Sequence, residues 1–181
     1  MAEDGRSRET RFTELYEAHQ SAVRAYAWRR GPSTADDVVA ETFTIAWQHL
    51  DRVPAEPLPW LIGVARNVLL NQQRGARRQR ERELACAEPD VAPSISGGME
   101  ARSSLGAALR RLPERDREIL LLAAWERLDR RGLAEVLRCS RATAAVRLFR
   151  ARKRLETALA EGEARPRTVP ADSQGRLSDG C

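Results

Sequence analysis

The spacing of apolar residues constrains the fold of this chain more than any other feature. Between Phe12 and Leu50, apolar residues recur every three or four positions, which predicts amphipathic helices with one buried face. The segment RRGPSTADD interrupts the pattern, because Gly31 and Pro32 end a helix. Three prolines in DRVPAEPLP end a second helix, and a third is predicted to begin at or near Trp60. No segment shows a competing strand pattern, so the predicted fold class is all-α.

Composition divides the chain into two small helical domains. We expect residues 11–82 to form the first and residues 102–161 the second, with a flexible linker at 83–101 that contains two prolines and two adjacent glycines. Helices in the second domain are predicted within ARSSLGAALRRL, PERDREILLLAAWERL, DRRGLAEVL and the segment after Ser140. Residues 1–10 and 162–181 are polar, and we expect both ends to be disordered.

Basic charge is concentrated at two places in the chain. The 31 basic and 26 acidic residues give a formal net charge of +5, and Lys153 is the only lysine. Residues 74–82 carry five basic and one acidic residue, and residues 140–160 carry six basic and one acidic. Between these segments, residues 83–100 carry four acidic residues and no basic one. This distribution predicts a protein that binds a polyanion at two separate places.

The residues that would support enzymatic or metal chemistry are missing from the sequence. Cys86, Cys139 and Cys181 lie far apart and form no plausible zinc set with His19 and His49, so no cofactor is expected. There is no glycine-rich phosphate loop or nucleophile elbow, and neither histidine has a catalytic context. The polar N-terminus does not resemble a signal peptide, and no apolar run could span a bilayer. We expect a cytoplasmic protein that is not an enzyme.

The strongest local motif is LDRRGLAEVLRCSRATAAVRLFRARKRL. A short helix, a tight turn and a second helix with Ser140 as its N-cap predict a helix-turn-helix. The apolar stripe of the second helix contains Ala144, Leu148, Ala151 and Leu155, with Val146 and Phe149 beside it. Its polar residues could contact bases or phosphates: Arg141, Thr143, Arg147, Arg150, Arg152, Lys153 and Arg154. The alternative is an amphipathic helix whose arginines are only solvated.

Two polar surfaces in the first domain are open to more than one interpretation. In ADDVVAETF, Asp37 and Glu41 lie one helical turn apart and suit either a solvated face or a protein-docking face. A metal site would need histidines at matching spacing, and acid–base chemistry would need a partner base. The third helix has a polar face that fits unstacked bases as well as it fits the basic end of a core helix. That face contains Arg66, Asn67, Asn71 and Arg74.

The order of these segments resembles a known family, the extracytoplasmic-function (ECF) group of bacterial sigma-70-class RNA polymerase sigma factors. The resemblance runs from about Phe12 to Leu159. FTELYEAHQSAVRAYAWRR, DDVVAETFTIAW and WLIGVARNVLLNQQR resemble the second conserved region of that family. The segment from Leu109 to Leu155 resembles its fourth. Both regions in this order, across a linker of this length, are highly specific to the family.

The resemblance implies a subunit that binds core polymerase and directs initiation by recognising and melting promoter DNA. It implies that Asp37 and Glu41 dock on the β′ clamp helices, with Val38 and Phe43 supporting the helix from the core side. It assigns the minus-ten element to Trp60, Arg66, Asn67, Asn71 and Arg74. It assigns the minus-thirty-five element to Ser140, Arg141, Thr143, Arg147 and Arg150. The expected partners are the polymerase β′ and β subunits, promoter DNA and, as a further candidate, an anti-sigma factor.

Two departures from the family pattern carry structural consequences. Ala40 stands where the family often has Gln, so the proposed docking face lacks a hydrogen-bonding side chain. Arg138 stands at a helix-turn-helix position where Gly is usual, and Arg adopts a positive φ less readily than Gly. We therefore expect a strained or reshaped turn there. Two other functions fit parts of the pattern: a stand-alone helix-turn-helix regulator, and an adaptor that binds polymerase or a sigma factor.

Overall fold

The computed structural model describes residues 2–84 and 104–163, and both ranges are helical with no strand in either. In the first range the helices are α1 (Ala2–Trp28), α2 (Ala35–Gln48) and α3 (Pro57–Leu84). In the second they are α4 (Ser104–Arg111), α5 (Glu114–Ala124), α6 (Arg130–Val136) and α7 (Arg141–Glu163). The predicted all-α class with two sets of helices is confirmed. None of the described helices is long and apolar enough to cross a membrane.

The core of the first domain follows the predicted helical spacing. Val23 and Tyr26 of α1 and Val38 of α2 are completely buried where the three helices meet. The ring of Phe43 lies edge-on to those of Phe12 and Tyr16, with centroids 6.4 and 4.7 Å away. Aromatic pairs favour this geometry, and burying a Phe side chain contributes about 1.5–3 kcal/mol. The aromatic cluster therefore fixes the N-terminal half of α1 against α2.

The N-terminal end of α1 is a correction to the prediction, because residues 2–10 are helical rather than disordered. Arg8 accounts for part of the difference. Its Nη2 donates a hydrogen bond to the carbonyl oxygen of Trp47 at 2.8 Å, and its guanidinium lies 5.2 Å from the centroid of the Trp47 ring. Its Nη1 also lies 3.5 Å from a carboxylate oxygen of Asp51. These contacts hold the first turns of α1 against the end of α2.

Other predicted boundaries shift by a few residues. Helix α3 begins at Pro57 rather than at Trp60, and both Pro57 and Pro59 lie in its first turn, where a missing N–H breaks no helical hydrogen bond. Residues 83–84 of the predicted linker continue α3, and residues 162–163 of the predicted tail continue α7. The remainder of the linker and of the tail lies outside the described residues.

The helix-turn-helix of the second domain consists of α6 and α7. The Asp129 Oδ1 accepts a hydrogen bond from the Gly132 N–H at 2.8 Å, which caps α6. The Ser140 Oγ accepts one from the Thr143 N–H at 3.0 Å, which confirms Ser140 as the N-cap of α7. Between the helices, Arg138 has a φ of 49°, so the left-handed turn expected at this position is present with Arg in it. Arg127, before α6, also has a positive φ of 52°, which was not predicted.

The two domains contact each other along α3 and α6, and glycines allow the helices to approach closely. A Cβ built on Gly63 would lie 3.7 Å from the Cα of Val136. A Cβ built on Gly132 would lie 3.3 Å from the Cγ of Pro59. The first distance leaves room for a methyl group and no more, and the second is already tight. Any large side chain at either glycine would separate the two helices.

Candidate nucleic-acid and protein interfaces

The acidic face of α2 is exposed and has no partner for two of its three carboxylates. Asp36 forms an ion pair with Arg24 of α1. Asp37 and Glu41 are exposed and make no hydrogen bond or ion pair with any residue of 2–84 or 104–163. Val38 and Phe43, on the other side of the helix, are buried, as expected of residues that support it from the core. The helix thus presents two exposed carboxylates that have no partner among the described residues.

The polar face of α3 is divided between an exposed end and a covered middle. Asn71 and Arg74 are exposed, and the Arg74 Nη1 lies 3.4 Å from the Asn71 Oδ1 that accepts its hydrogen bond. Arg66 and Asn67 are half-buried, and Trp60 packs against the core in the first turns of the helix. The five residues assigned to the minus-ten element therefore lie on one helix, but only its C-terminal pair is open to solvent.

Arg66 is occupied by a carboxylate from the second domain. Its Nε donates to the Glu118 Oε1 at 2.7 Å, and its Nη2 donates to the Glu118 Oε2 at 3.0 Å. Both side chains are mostly buried, with 24% of Arg66 and 20% of Glu118 exposed. The hydrogen bonds to Glu118 raise the pKa of Arg66 above its already high ordinary value. A bidentate pair of this kind is among the stronger and more directional ionic contacts in proteins.

A second ionic contact between the domains involves Glu126, whose side chain is only 3% exposed. It forms an ion pair with Arg29, and its Oε1 lies 3.6 Å from Nη1 of Arg30. The Arg29 guanidinium also lies 5.0 Å from the centroid of the Trp125 ring. Burial raises the pKa of Glu126, and the positive charges of Arg29 and Arg30 oppose that rise. Two arginines in the turn after α1 thus hold the segment that follows α5.

Neither Glu118 nor Glu126 was singled out from the sequence. Both lie within ordinary amphipathic patterns, and their partners are 52 and 97 residues away along the chain. No local signal marks such a pair, because each residue type at its own position is typical of a solvated helix face. The covering of Arg66 could therefore be found only from the packing of the two domains.

The solvent face of α7 carries most of the residues predicted to contact the upstream element. Arg141, Arg147 and Arg150 are exposed and form no ion pair within the described ranges. Ser140 and Thr143 are exposed too, but their hydroxyl oxygens lie 2.9 Å apart within the capping arrangement. Arg154, a further candidate from its position on the same helix, is paired with Asp116. Arg147 and Arg150 lie about 60° apart on one side of α7, and Arg141 lies about 180° from Arg150 on the first turn. Exposed arginines of this kind attract phosphate.

Comparison with known proteins assigns both domains. The sequence model of Sigma-70 region 2 matches residues 15–79, and that of Sigma-70, region 4, matches residues 102–155. The ECF RNA polymerase sigma factor EcfG of Rhodopseudomonas palustris is 32% identical over 132 residues, which cover 69% of this chain and 71% of that protein. This chain belongs to the ECF group of sigma-70 factors. The sigma factor therefore directs promoter-specific transcription initiation, a regulatory role rather than a catalytic one.

Two further relatives extend the similarity over most of the chain. RNA polymerase sigma factor NccH of Alcaligenes xylosoxydans xylosoxydans is 28% identical over 161 residues, which cover 82% of this sigma factor and 86% of NccH. The sigma factor RpoE from Bartonella quintana, solved in complex with the anti-sigma factor NepR, shares the fold with a TM-score of 0.58 and 24% identity. That match covers 82% of this chain and 96% of RpoE. Because the chain belongs to the ECF group, the two alternative functions, a stand-alone regulator and an adaptor, are not retained.

Proposed function

We propose that this sigma factor makes its contacts through three of the surfaces described above. The exposed carboxylates of α2, Asp37 and Glu41, dock on the clamp helices of the polymerase β′ subunit, and Val38 and Phe43 hold that helix in place. The polar face of α3 captures the melted minus-ten element. The solvent face of α7 recognises the minus-thirty-five element. The observation that carries the proposal is on α7, where exposed arginines without partners among the described residues lie outside the buried face of the helix.

Capture of the minus-ten element requires a rearrangement. Arg66 cannot contact a nucleic acid while Glu118 holds its guanidinium through two hydrogen bonds. Trp60 and Asn67 lie on the same stretch of α3, beside the glycine and proline contacts with α6. The second domain must therefore leave α3 before the middle of that helix can bind DNA. Asn71 and Arg74 need no such change, since both are exposed in the closed arrangement.

The remaining partners follow from the same role. Core RNA polymerase and promoter DNA meet in the cytoplasm, and we infer that the sigma factor acts there. The acidic segment between the domains suits a path inside the polymerase that nucleic acid otherwise occupies, and the β subunit is the expected second contact. An anti-sigma factor is a further candidate partner, because the related RpoE was solved in complex with NepR.

The proposed role of α7 is tested by Arg147→Ala. If Arg147 makes a bidentate contact to a base, holoenzyme with this substitution should bind a promoter with its own upstream element about 5- to 150-fold more weakly, which corresponds to about 1–3 kcal/mol. Binding to DNA with a scrambled upstream element should change little. Arg115→Ala, at an exposed position of α5, is the matched control and should leave both affinities unchanged.

The same titration separates two kinds of contact. An equal loss on all DNA sequences would mark Arg147 as a phosphate contact rather than a base contact. No loss on any sequence, for Arg147→Ala and Arg150→Ala alike, would show that α7 does not enter the upstream element.

A further inference from the structure

Helix α7 carries apolar residues on the side that faces away from its own domain. Val146 is 48% exposed and Phe149 is 68% exposed, although both were expected to lie beside the buried stripe. The face of α7 that packs on the domain is formed by Ala144, Leu148 and Ala151, all of them buried. At 100° per residue, position 146 lies about 200° and position 149 about 140° from position 144. Both residues therefore point away from the core.

Ala142 completes this surface, because it is exposed and lies one turn before Val146 on the same face. We refer to Ala142, Val146 and Phe149 as the apolar strip. Arg147 and Arg150, both exposed and without partners among the described residues, lie beside it along the helix. The strip is thus narrow, convex and bordered by positive charge.

A surface with these properties fits the DNA major groove better than an apolar protein groove. Unpaired arginines at its border would be costly to bury against apolar protein surface, whereas DNA places phosphates on both sides of the groove. The major groove admits an α-helix, and its one prominent apolar group is the C5-methyl of thymine. Val and Ala side chains can contact that methyl group without forming a hydrogen bond.

We propose that Val146, supported by Ala142 and Phe149, determines specificity by contacting thymine methyl groups in the minus-thirty-five element. Because α7 must enter the groove for this contact to form, the inference rests on the function proposed above. This inference assigns DNA contacts to apolar residues of α7, which the sequence pattern had placed beside the core. Arginines then supply affinity and hydrogen-bonded base contacts, while the strip selects thymine at the positions that it covers.

The experiment uses the fact that uracil has the hydrogen-bonding groups of thymine but lacks its methyl. Holoenzyme first selects a preferred element from promoters with a randomised upstream region. Each dT in either strand of that element is then replaced by dU, one position at a time, and holoenzyme affinity is measured. We expect one or two positions at which dU weakens binding about fourfold, the effect of withdrawing one buried methyl group.

Substitutions at position 146 identify the reader of the methyl group. Val146→Ala should reduce the loss caused by dU at those positions to less than twofold, whereas Val146→Ile should retain it. Neither change threatens folding, since the position is exposed and Ala is favourable in a helix. The affinity of the free sigma factor for core polymerase should be the same for all three proteins.

Each adverse outcome has a distinct meaning. If Arg147→Ala reduces selectivity but no dU position affects binding, α7 enters the groove and the methyl contact is wrong. A selected element without thymine would also overturn it, as would a dU effect that persists in Val146→Ala. If Val146→Ala instead weakens binding to core polymerase in the absence of DNA, the strip is a protein-binding surface. If neither Arg147→Ala, Arg150→Ala nor dU has any effect, the proposed role of α7 itself fails.

Discussion

Two helices of the first domain differ in whether their proposed binding faces are exposed to solvent. The carboxylates of Asp37 and Glu41 on α2 are exposed and unpaired within the described residues, while the middle of α3 is covered by the second domain. The difference is one of packing, because both faces consist of charged or amide side chains on amphipathic helices. The α3 face is covered because its glycine and proline allow α6 to approach, and because Glu118 neutralises Arg66.

This difference suggests an order of binding events. A partner of the α2 face can bind the closed protein without first breaking any contact between the domains. A nucleic acid that uses Arg66 must first break a bidentate ion pair and separate α3 from α6. We therefore expect polymerase to dock on the closed or the open protein with little preference at this face. Minus-ten DNA should reach Arg66 only in the open protein.

The largest effect is expected at the exposed face of α2. Replacing both Asp37 and Glu41 with Lys should weaken binding to core polymerase by about a hundredfold or more, because like charges placed against a basic partner cost several kcal/mol. The fold should be unchanged, since both positions are exposed and lack partners among the described residues. Affinity for core polymerase measures the effect, and the melting temperature checks the fold.

Lysines at Glu14 and Glu17 provide the matched control, because both are exposed acidic positions on α1. That variant has the same change in net charge, so a nonspecific effect of charge would lower its affinity equally. Equal affinities for all three proteins would remove α2 from the polymerase contact and leave its carboxylates as a solvated face.

A smaller effect is expected from separating the second domain from the face of α3 that it covers. Glu118→Gln keeps the shape of the side chain but removes the charge that holds Arg66, at an expected cost to the closed state of about 1.5–3 kcal/mol. Gly63→Phe should open the domains by a different route, because a ring cannot fit where a Cβ already lies 3.7 Å from Val136. Both variants should have a larger radius of gyration by small-angle X-ray scattering and bind a single-stranded minus-ten oligonucleotide about tenfold or more tightly.

Each opening variant has its own control on α3. Glu81→Gln removes the Glu of an exposed pair with Arg77 within the same helix, where solvent screens the charges and no domain contact is involved. Gly63→Ala adds only the methyl group for which there is room. Unchanged dimensions and oligonucleotide affinity in both Glu118→Gln and Gly63→Phe would show that the domain contact does not limit access to α3.

Several features of the fold follow from local sequence, whereas others do not. The N-cap at Ser140 follows from residue chemistry within a few positions, and it is found. The unusual turn at Arg138 was expected from the family pattern, in which Gly is usual there, and the positive φ of Arg138 agrees with that expectation. The helix-turn-helix and the buried stripes follow from periodicity in the same way. The placement of the candidate residues on α2, α3 and α7 was thus accessible from the sequence together with the family resemblance.

What could not be predicted depends on contacts between distant segments. Arg8 orders the start of α1 through Trp47, and Glu118 covers Arg66, in each case through a partner about 40 or 50 residues away. The exposure of Val146 was also missed, because an apolar residue near a stripe is ordinarily assigned to the core. Such errors arise wherever tertiary packing, rather than propensity or period, decides which side of a helix is covered.

The smallest effect is expected at the turn between α6 and α7, and it tests whether stability and domain opening are independent. An L-residue in the left-handed region costs about 1–2 kcal/mol, and glycine relieves that strain while losing more backbone entropy on folding. Arg138→Gly should therefore raise the free energy of unfolding by up to about 1 kcal/mol, seen as a higher urea midpoint. Arg115→Gly, inside α5, should lower it by a similar amount, because its backbone is helical. The radius of gyration should be unchanged in both, and an expanded Arg138→Gly protein would tie the strained turn to the closed arrangement of the domains.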